Sequence, residues 1–237
     1  MSDQGWWSGK QFGPFALLLA AQVLFIALAP IVEETGVGEK FLQFGFMAVL
    51  IAGLGVARES RRFMTIAVVL LAANLLMEWR GDLVSGDMET RRLLRAAFSA
   101  AYLGYLIIAL IRMLTCQREA TLDTVLGGIN VYLLLALMFM ELHMFAERLQ
   151  PGSYLRSGVS LSDIPDEAPG SMLTTLFYFS FTTLTTLGFG DITPVRPIAQ
   201  FLCSAEAVIG QLFVAIFIGG LVALRVGSAQ REKPTES

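Results

Sequence analysis

Residues 182–191 read Thr182-Thr183-Leu184-Thr185-Thr186-Leu187-Gly188-Phe189-Gly190-Asp191, a decapeptide in which two glycines alternate with bulky apolar residues. Glycine reaches backbone conformations that other residues avoid. The alternation therefore lets successive carbonyls turn the same way, while Leu187 and Phe189 pack outward and brace the strand. The apolar stretch before it, 171–185, is too short to cross about 30 Å of hydrocarbon as a helix. Full-length apolar runs lie on either side, at 122–146 and 197–225. A half-length helix and a Gly-rich turn between two full spans form the pattern of a re-entrant loop. Such a loop is tolerated at membrane depth only where it is buried in protein or lines water.

The composition sets the solvent. The chain is 55% hydrophobic and only 16% charged, with a mean hydropathy of +0.64; soluble domains carry closer to about a quarter charged residues. Six spans are expected, at 14–32, 41–57, 63–79, 93–114, 122–146 and 197–225. The first begins after Lys10 and ends near a small-residue pattern at 27–29, as a signal peptide would, but Pro30 hinders cleavage and a retained span is expected. Trp6, Trp7 and Trp79 suit membrane interfaces.

Several function classes drop out. A net charge of -3 without a basic tract argues against nucleic acid as a partner and against a polybasic lipid switch. Cys116 and Cys203 lie in different runs, with no disulfide or metal spacing, and read as small apolar residues. A polytopic enzyme needs clustered histidines, cysteines or carboxylates, and His143 is the single histidine. A voltage sensor needs Arg or Lys at every third position through several turns. The fourth run has Arg92 and Arg95, but the series continues with Phe98, Ala101, Gly104 and Ile107.

A desolvated potassium ion needs several oxygens of modest field strength around a narrow axis, and rings of backbone carbonyls supply them. Residues 182–191 resemble the signature of the potassium channel superfamily, a Thr-rich stretch followed by T-V-G-Y-G-D. The form here, GFGDITP, is most similar to bacterial ion-channel proteins of the two-transmembrane-pore type. Leu187 stands where Val or Ile is common, and Phe189 replaces Tyr, removing a hydroxyl that can tie the filter to its surroundings.

The resemblance implies an all-α membrane protein with six transmembrane helices and a homotetrameric pore. A four-helix domain (14–114) would precede a pore domain (122–226), with 1–13 and 227–237 as flanking segments. The pore domain would comprise outer helix 122–147, turret 148–170, pore helix 171–185, filter 186–190 and inner helix 197–225. Thr186, Leu187, Gly188, Phe189 and Gly190 would hold potassium ions by their carbonyls, with no other metal or cofactor. Asp191 would mark the filter mouth, and Thr182 and Glu206 would support it, Glu206 either accepting from pore-helix threonines or being protonated by burial. Gly210 is expected as a gating hinge or a packing glycine, and Val214, Ile218 and Val222 as cavity lining. The close glycines Gly127, Gly128, Gly219 and Gly220 are expected at helix contacts. Glu141 and His143 are expected near an interface, with pH sensing by His143 a lesser alternative.

The implied partners are further copies of the chain and membrane lipids. The implied location is a bacterial inner membrane with both termini cytoplasmic. Alternatives to a potassium-selective channel without voltage gating are a weakly selective cation channel and a membrane sensor with a vestigial pore.

Overall fold

The computed structural model describes residues 14–35, 39–55, 61–79, 87–115, 122–164 and 171–231. The expectations for 1–13, for the end of the tail and for residues 165–170 of the turret lie outside these. Seven α-helices follow in order: α1 (Pro14–Thr35), α2 (Glu39–Gly53), α3 (Arg61–Trp79), α4 (Met88–Thr115), α5 (Leu122–Leu149), α6 (Met172–Leu184) and α7 (Pro197–Arg231). Three short strands complete the described residues, β1 (Tyr154–Arg156), β2 (Val159–Ser160) and β3 (Ile192–Pro194).

Among the described residues, three helices are long and apolar enough to cross a membrane: α4, α5 from Thr124 to Leu149, and α7 from Pro197 to Phe217. The first two helices supply shorter apolar stretches, Phe15–Ala29 and Gln43–Gly53. At about 1.5 Å per residue, the 15 residues of α2 reach about 22 Å, short of a full hydrocarbon crossing. The chain is thus a mostly helical protein with three candidate spans.

α5 is the hub. It packs along α4 on one side, against α6 and α7 on another, and against α1. Leu134, Ala136, Leu137 and Met140 are fully buried at these contacts. The two glycines at its start serve close approach: a Cβ on Gly127 would lie 2.5 Å from Leu114, and one on Gly128 would lie 1.9 Å from Phe217. Gly219 and Gly220, expected to do the same, meet nothing within 4 Å in the chain.

Polar side chains stitch the first helices together where apolar packing alone would leave register loose. The Tyr102 hydroxyl donates to the Leu50 carbonyl at 2.5 Å, the Asn74 amide to Ser99 at 2.5 Å, and the Asn130 amide to the Phe15 carbonyl at 2.9 Å. Away from water, an interhelical bond of this kind replaces an otherwise unsatisfied group.

The strands were not expected. Ser157 and Gly158 have φ values of 51° and 84°, the two-residue turn with both residues left-handed that joins twisted strands into a hairpin. β1 also pairs antiparallel with β3, giving the order β2-β1-β3. β3 begins directly after Asp191, so this sheet ties the end of the decapeptide to the loop that follows α5.

Candidate functional site

α6 starts at Met172, just after Ser171, and ends at Leu184, within a residue of the limits expected at each end. Its termination is specific. The Thr186 N–H donates to the Thr183 carbonyl at 2.9 Å, and the Leu187 N–H to the Thr182 carbonyl at 2.8 Å. This pair of bonds, with Thr186 at φ 59°, is the Schellman ending, in which a left-handed residue satisfies the last helical carbonyls. The position usually belongs to glycine; here a β-branched residue holds it. The Thr182 carbonyl also accepts from the Gly188 N–H at 3.2 Å, so the buried Thr182 secures two residues of the following segment.

Beyond that ending, the backbone alternates. Thr186, Gly188 and Gly190 have φ of 59°, 51° and 80°, while Leu187 and Phe189 stay in ordinary space. A Cβ at Gly188 or Gly190 would meet nothing within 4 Å, so it is conformation and not crowding within the chain that calls for glycine there. Phe189 stacks on Tyr178 of α6, with ring centroids 6.3 Å apart and planes 2° from parallel. The Asp191 carbonyl accepts from the Ser157 N–H at 3.2 Å, anchoring the outer end of the segment to the hairpin.

The segment is open to its surroundings within one chain: Leu187 is 58% and Phe189 65% exposed. So is one stripe of α7, where Phe201, Val208, Leu212 and Ile216 all face out. Val214 is half-buried on this helix; the side chains of Ile218 and Val222 lie outside the described residues. Gly210 is buried, and a Cβ there would lie 2.4 Å from the Leu184 carbonyl. Its absent side chain is what lets α7 touch the end of α6.

Glu206 is fully buried behind the decapeptide. Its partner on α6 is Ser180 and not a threonine, with Ser180 Oγ 2.5 Å from Oε1. Its other oxygen meets His143 Nε2 at 2.8 Å, and His143 Nδ1 meets the Tyr154 hydroxyl at 2.6 Å. His143 and Glu141 are both buried within the fold. Tyr154 lies in β1, and burial, with the Cys203 thiol and the Glu206 and Glu147 carboxylates nearby, pushes its phenol well above the ordinary value.

Two residues of the site were not singled out from sequence. The fully buried Glu147 accepts from the backbone N–H groups of Gly152 (3.0 Å), Tyr154 (2.9 Å) and Ser162 (3.1 Å), and from the Ser162 hydroxyl. A carboxylate in the last turn of a helix opposes the helix dipole, and that mismatch is the signal that could have found it. Gln211 donates to Thr186 Oγ1 at 3.3 Å, linking α7 to the inner end of the segment. An isolated amide in the apolar run 207–217 was the available cue.

A half-length helix, a backbone of alternating handedness and a following full-length helix together form a re-entrant loop. Residues 153–224 match the family model described as ion channel. Over 64 residues the chain is 34% identical to the inward rectifier potassium channel Kirbac3.1 of Paramagnetospirillum magnetotacticum, covering 27% of this chain. The match spans about a fifth of that relative's length (20%). No solved structure matches the chain. Residues 153–224, from the hairpin into α7, are thus the part of the chain that is similar to ion channels.

Proposed function

We propose that this chain is the subunit of a homotetrameric, potassium-selective channel that conducts passively and is not strongly voltage-gated. The observation that carries the reading is the alternating backbone of 186–190, held between the Schellman ending of α6 and the β1–β3 pairing. One chain supplies one such strand, and carbonyls must approach from all sides to replace an ion's hydration shell. The exposed apolar stripe of α7 and the exposed Leu187 and Phe189 support burial against further copies.

In this assembly the carbonyls of Thr186, Leu187, Gly188 and Phe189 coordinate the ion, with Gly190 completing the strand and Asp191 at the outer mouth. Val214, Ile218 and Val222 line the cavity below. Gly210 acts chiefly as a packing glycine, which a hinge at the same place would have to break. The remaining helices α1 to α3 complete six spans, in a bacterial inner membrane with both termini cytoplasmic and lipid around them.

The test is ion flux in vesicles of reconstituted protein. Potassium flux well above sodium flux is expected. Equal rates would favour a weakly selective cation channel, a reading that Phe189 supports because it reaches Tyr178 by ring stacking in place of a hydroxyl bond. No flux from folded tetramers would favour a sensor with a vestigial pore.

A further inference from the structure

Behind the filter segment, four side chains make one continuous run of contacts. Tyr154 Oη lies 2.6 Å from His143 Nδ1, and His143 Nε2 lies 2.8 Å from Glu206 Oε2. Ser180 Oγ lies 2.5 Å from Glu206 Oε1 and 2.6 Å from the Ala136 carbonyl. All four side chains are fully buried. The run leaves β1, passes through α5, α7 and α6, and returns to α5, so it joins three helices and one strand behind the filter segment.

Counting hydrogens decides its protonation. The four contacts need four hydrogens between them. A tyrosine, a neutral histidine and a serine bring one each. With Glu206 ionised, Ser180 can serve either Glu206 or the Ala136 carbonyl, and the other short oxygen–oxygen contact is left without a hydrogen. Placing an extra proton on His143 does not mend this. Nδ1–H would then point at Tyr154 and displace its hydroxyl hydrogen, while the conflict at Ser180 would remain. Placing it on Glu206 Oε1 fills every contact. Tyr154 donates to Nδ1, Nε2–H donates to Oε2, Oε1–H donates to Ser180, and Ser180 donates to the Ala136 carbonyl. All four bonds run in one direction and no charge is buried, which avoids the desolvation cost of an ion pair in a dry interior.

We infer that Glu206 is held as a carboxylic acid, and that Tyr154, His143, Glu206 and Ser180 form a one-directional hydrogen-bond chain that positions the pore helix α6. Loss of its one extra proton loosens the support of the filter. The titratable groups facing Glu206 are His143 and Tyr132 from α5, Tyr154 from β1 and Cys203 from α7 itself, with Glu147 beyond Tyr154. Tyr154 remains a donor across the working range because its burial holds the phenol protonated.

His143 is the single histidine, so protein labelled with nitrogen-15 histidine gives one imidazole signal. In the full chain reconstituted in vesicles, solid-state NMR at neutral pH is expected to show Nε2 protonated and Nδ1 bare. An imidazolium, or the opposite tautomer, would overturn the inference, and neither result depends on which ion the protein passes. Infrared spectra should contain a carboxylic-acid carbonyl band that Glu206→Gln removes; an ionised carboxylate band removed instead would count equally against it.

The functional arm rests on the channel reading. Glutamine donates and accepts where the protonated acid does, so Glu206→Gln should conduct like the parent and lose its pH dependence. Parent flux should fall as pH rises and the proton leaves, and Glu206→Ala should lose flux at every pH. Identical pH profiles for parent and Glu206→Gln would refute the positioning role of the proton. If the variants do not assemble, the parent decides on two readings together: an imidazolium or the opposite tautomer, or the absence of a buried carboxylic-acid carbonyl band, overturns the inference.

Discussion

Thr186, Gly188 and Gly190 share a left-handed backbone, yet only two of them are glycines. For an L-residue this conformation costs roughly 1–2 kcal/mol. At Thr186 the cost is offset by the Schellman bonds and by the hydroxyl, which donates to the Thr185 carbonyl at 2.6 Å and accepts from Gln211. Gly188 and Gly190 have no such compensation. Gly190→Ala should therefore shift the filter backbone and lower the potassium-to-sodium permeability ratio on the order of tenfold, given that about 1.4 kcal/mol is a factor of ten. Reversal potentials in planar bilayers measure that ratio, and a parental value would remove the filter assignment. Glu147 invites a second residue-level test. Its Oε1 receives three donors and its Oε2 one, so Glu147→Gln must turn an amide N–H toward a backbone N–H. Hydrogen bonds to a charged group are worth about 1.5–3 kcal/mol, and thermal melting of the solubilised protein should show a loss of this size. Unchanged melting would mean that the turret holds its shape without the carboxylate.

Among the elements, α6 was legible almost to the residue, because a short apolar run ending in Thr and Gly admits few helix ends. The long helices α5 and α7 were legible as helices too, although α7 continues to Arg231, past the expected Arg225. The three-stranded sheet was not. Its Ser157-Gly158 turn is flanked by strands of three and two residues, too short for an alternating pattern to stand out from a polar loop. The Tyr154–His143–Glu206–Ser180 run was invisible for a different reason: its members come from four elements, and sequence gave separate cues only for Glu206, as an acid within an apolar span, and for His143, as the single histidine. Gly210 was legible as special but not as to why. The 2.4 Å approach to the Leu184 carbonyl makes Gly210→Ala an overpacking substitution, expected to cost about 1–3 kcal/mol of stability. A hinge without crowding would tolerate alanine, so an unchanged melting temperature would favour that alternative. At the start of α4, the Thr90 side chain and the Thr90 N–H, the latter at 3.0 Å, both hydrogen-bond Asp87 and, aided by Arg91, hold its carboxyl below the ordinary 3.8. A depressed value stabilises the folded end above the unfolded pKa and is lost as pH falls through the folded one. Protection of the amides at 88–91, taken relative to their intrinsic exchange rates, should accordingly fall below about pH 4 in the parent, and Asp87→Ala should show the lower protection already at neutral pH.

On the scale of the whole molecule, most of what the first helices could transmit passes through α5, beside a direct contact of Phe25 in α1 with Phe177 in α6, ring centroids 5.4 Å apart. α4 lies along it, α1 packs against it, and α5 in turn carries His143 and Glu147 toward the filter. The link between α4 and α5 spans only residues 116–121, too few for a lever helix on the membrane surface. Membrane voltage is a poor candidate for the transmitted signal, and the reason lies in where α4 keeps its charges. Arg91, Arg92 and Arg95 crowd into its first turns, with Arg92 beside Glu89 at 3.5 Å, while Arg148 of α5 approaches the same carboxylate at 3.6 Å. Arg112 sits near the opposite end, 5.6 Å above the Phe63 ring. Between these ends the buried face is Ala96, Ser99, Ala100, Leu103, Leu106 and Ile107, with no charge to carry through the field. Moving one elementary charge across the membrane yields about 2.3 kcal/mol per 100 mV, and voltage sensors use three or four in each of four subunits. Charges tethered at the ends of α4 cross almost none of that field, so the work available to open a gate is small. Single-channel recordings from reconstituted protein should show an open probability that varies with voltage no more steeply than about one charge per tetramer allows. A slope several times steeper would require α4 to slide its arginines through the apolar face that now packs on α5.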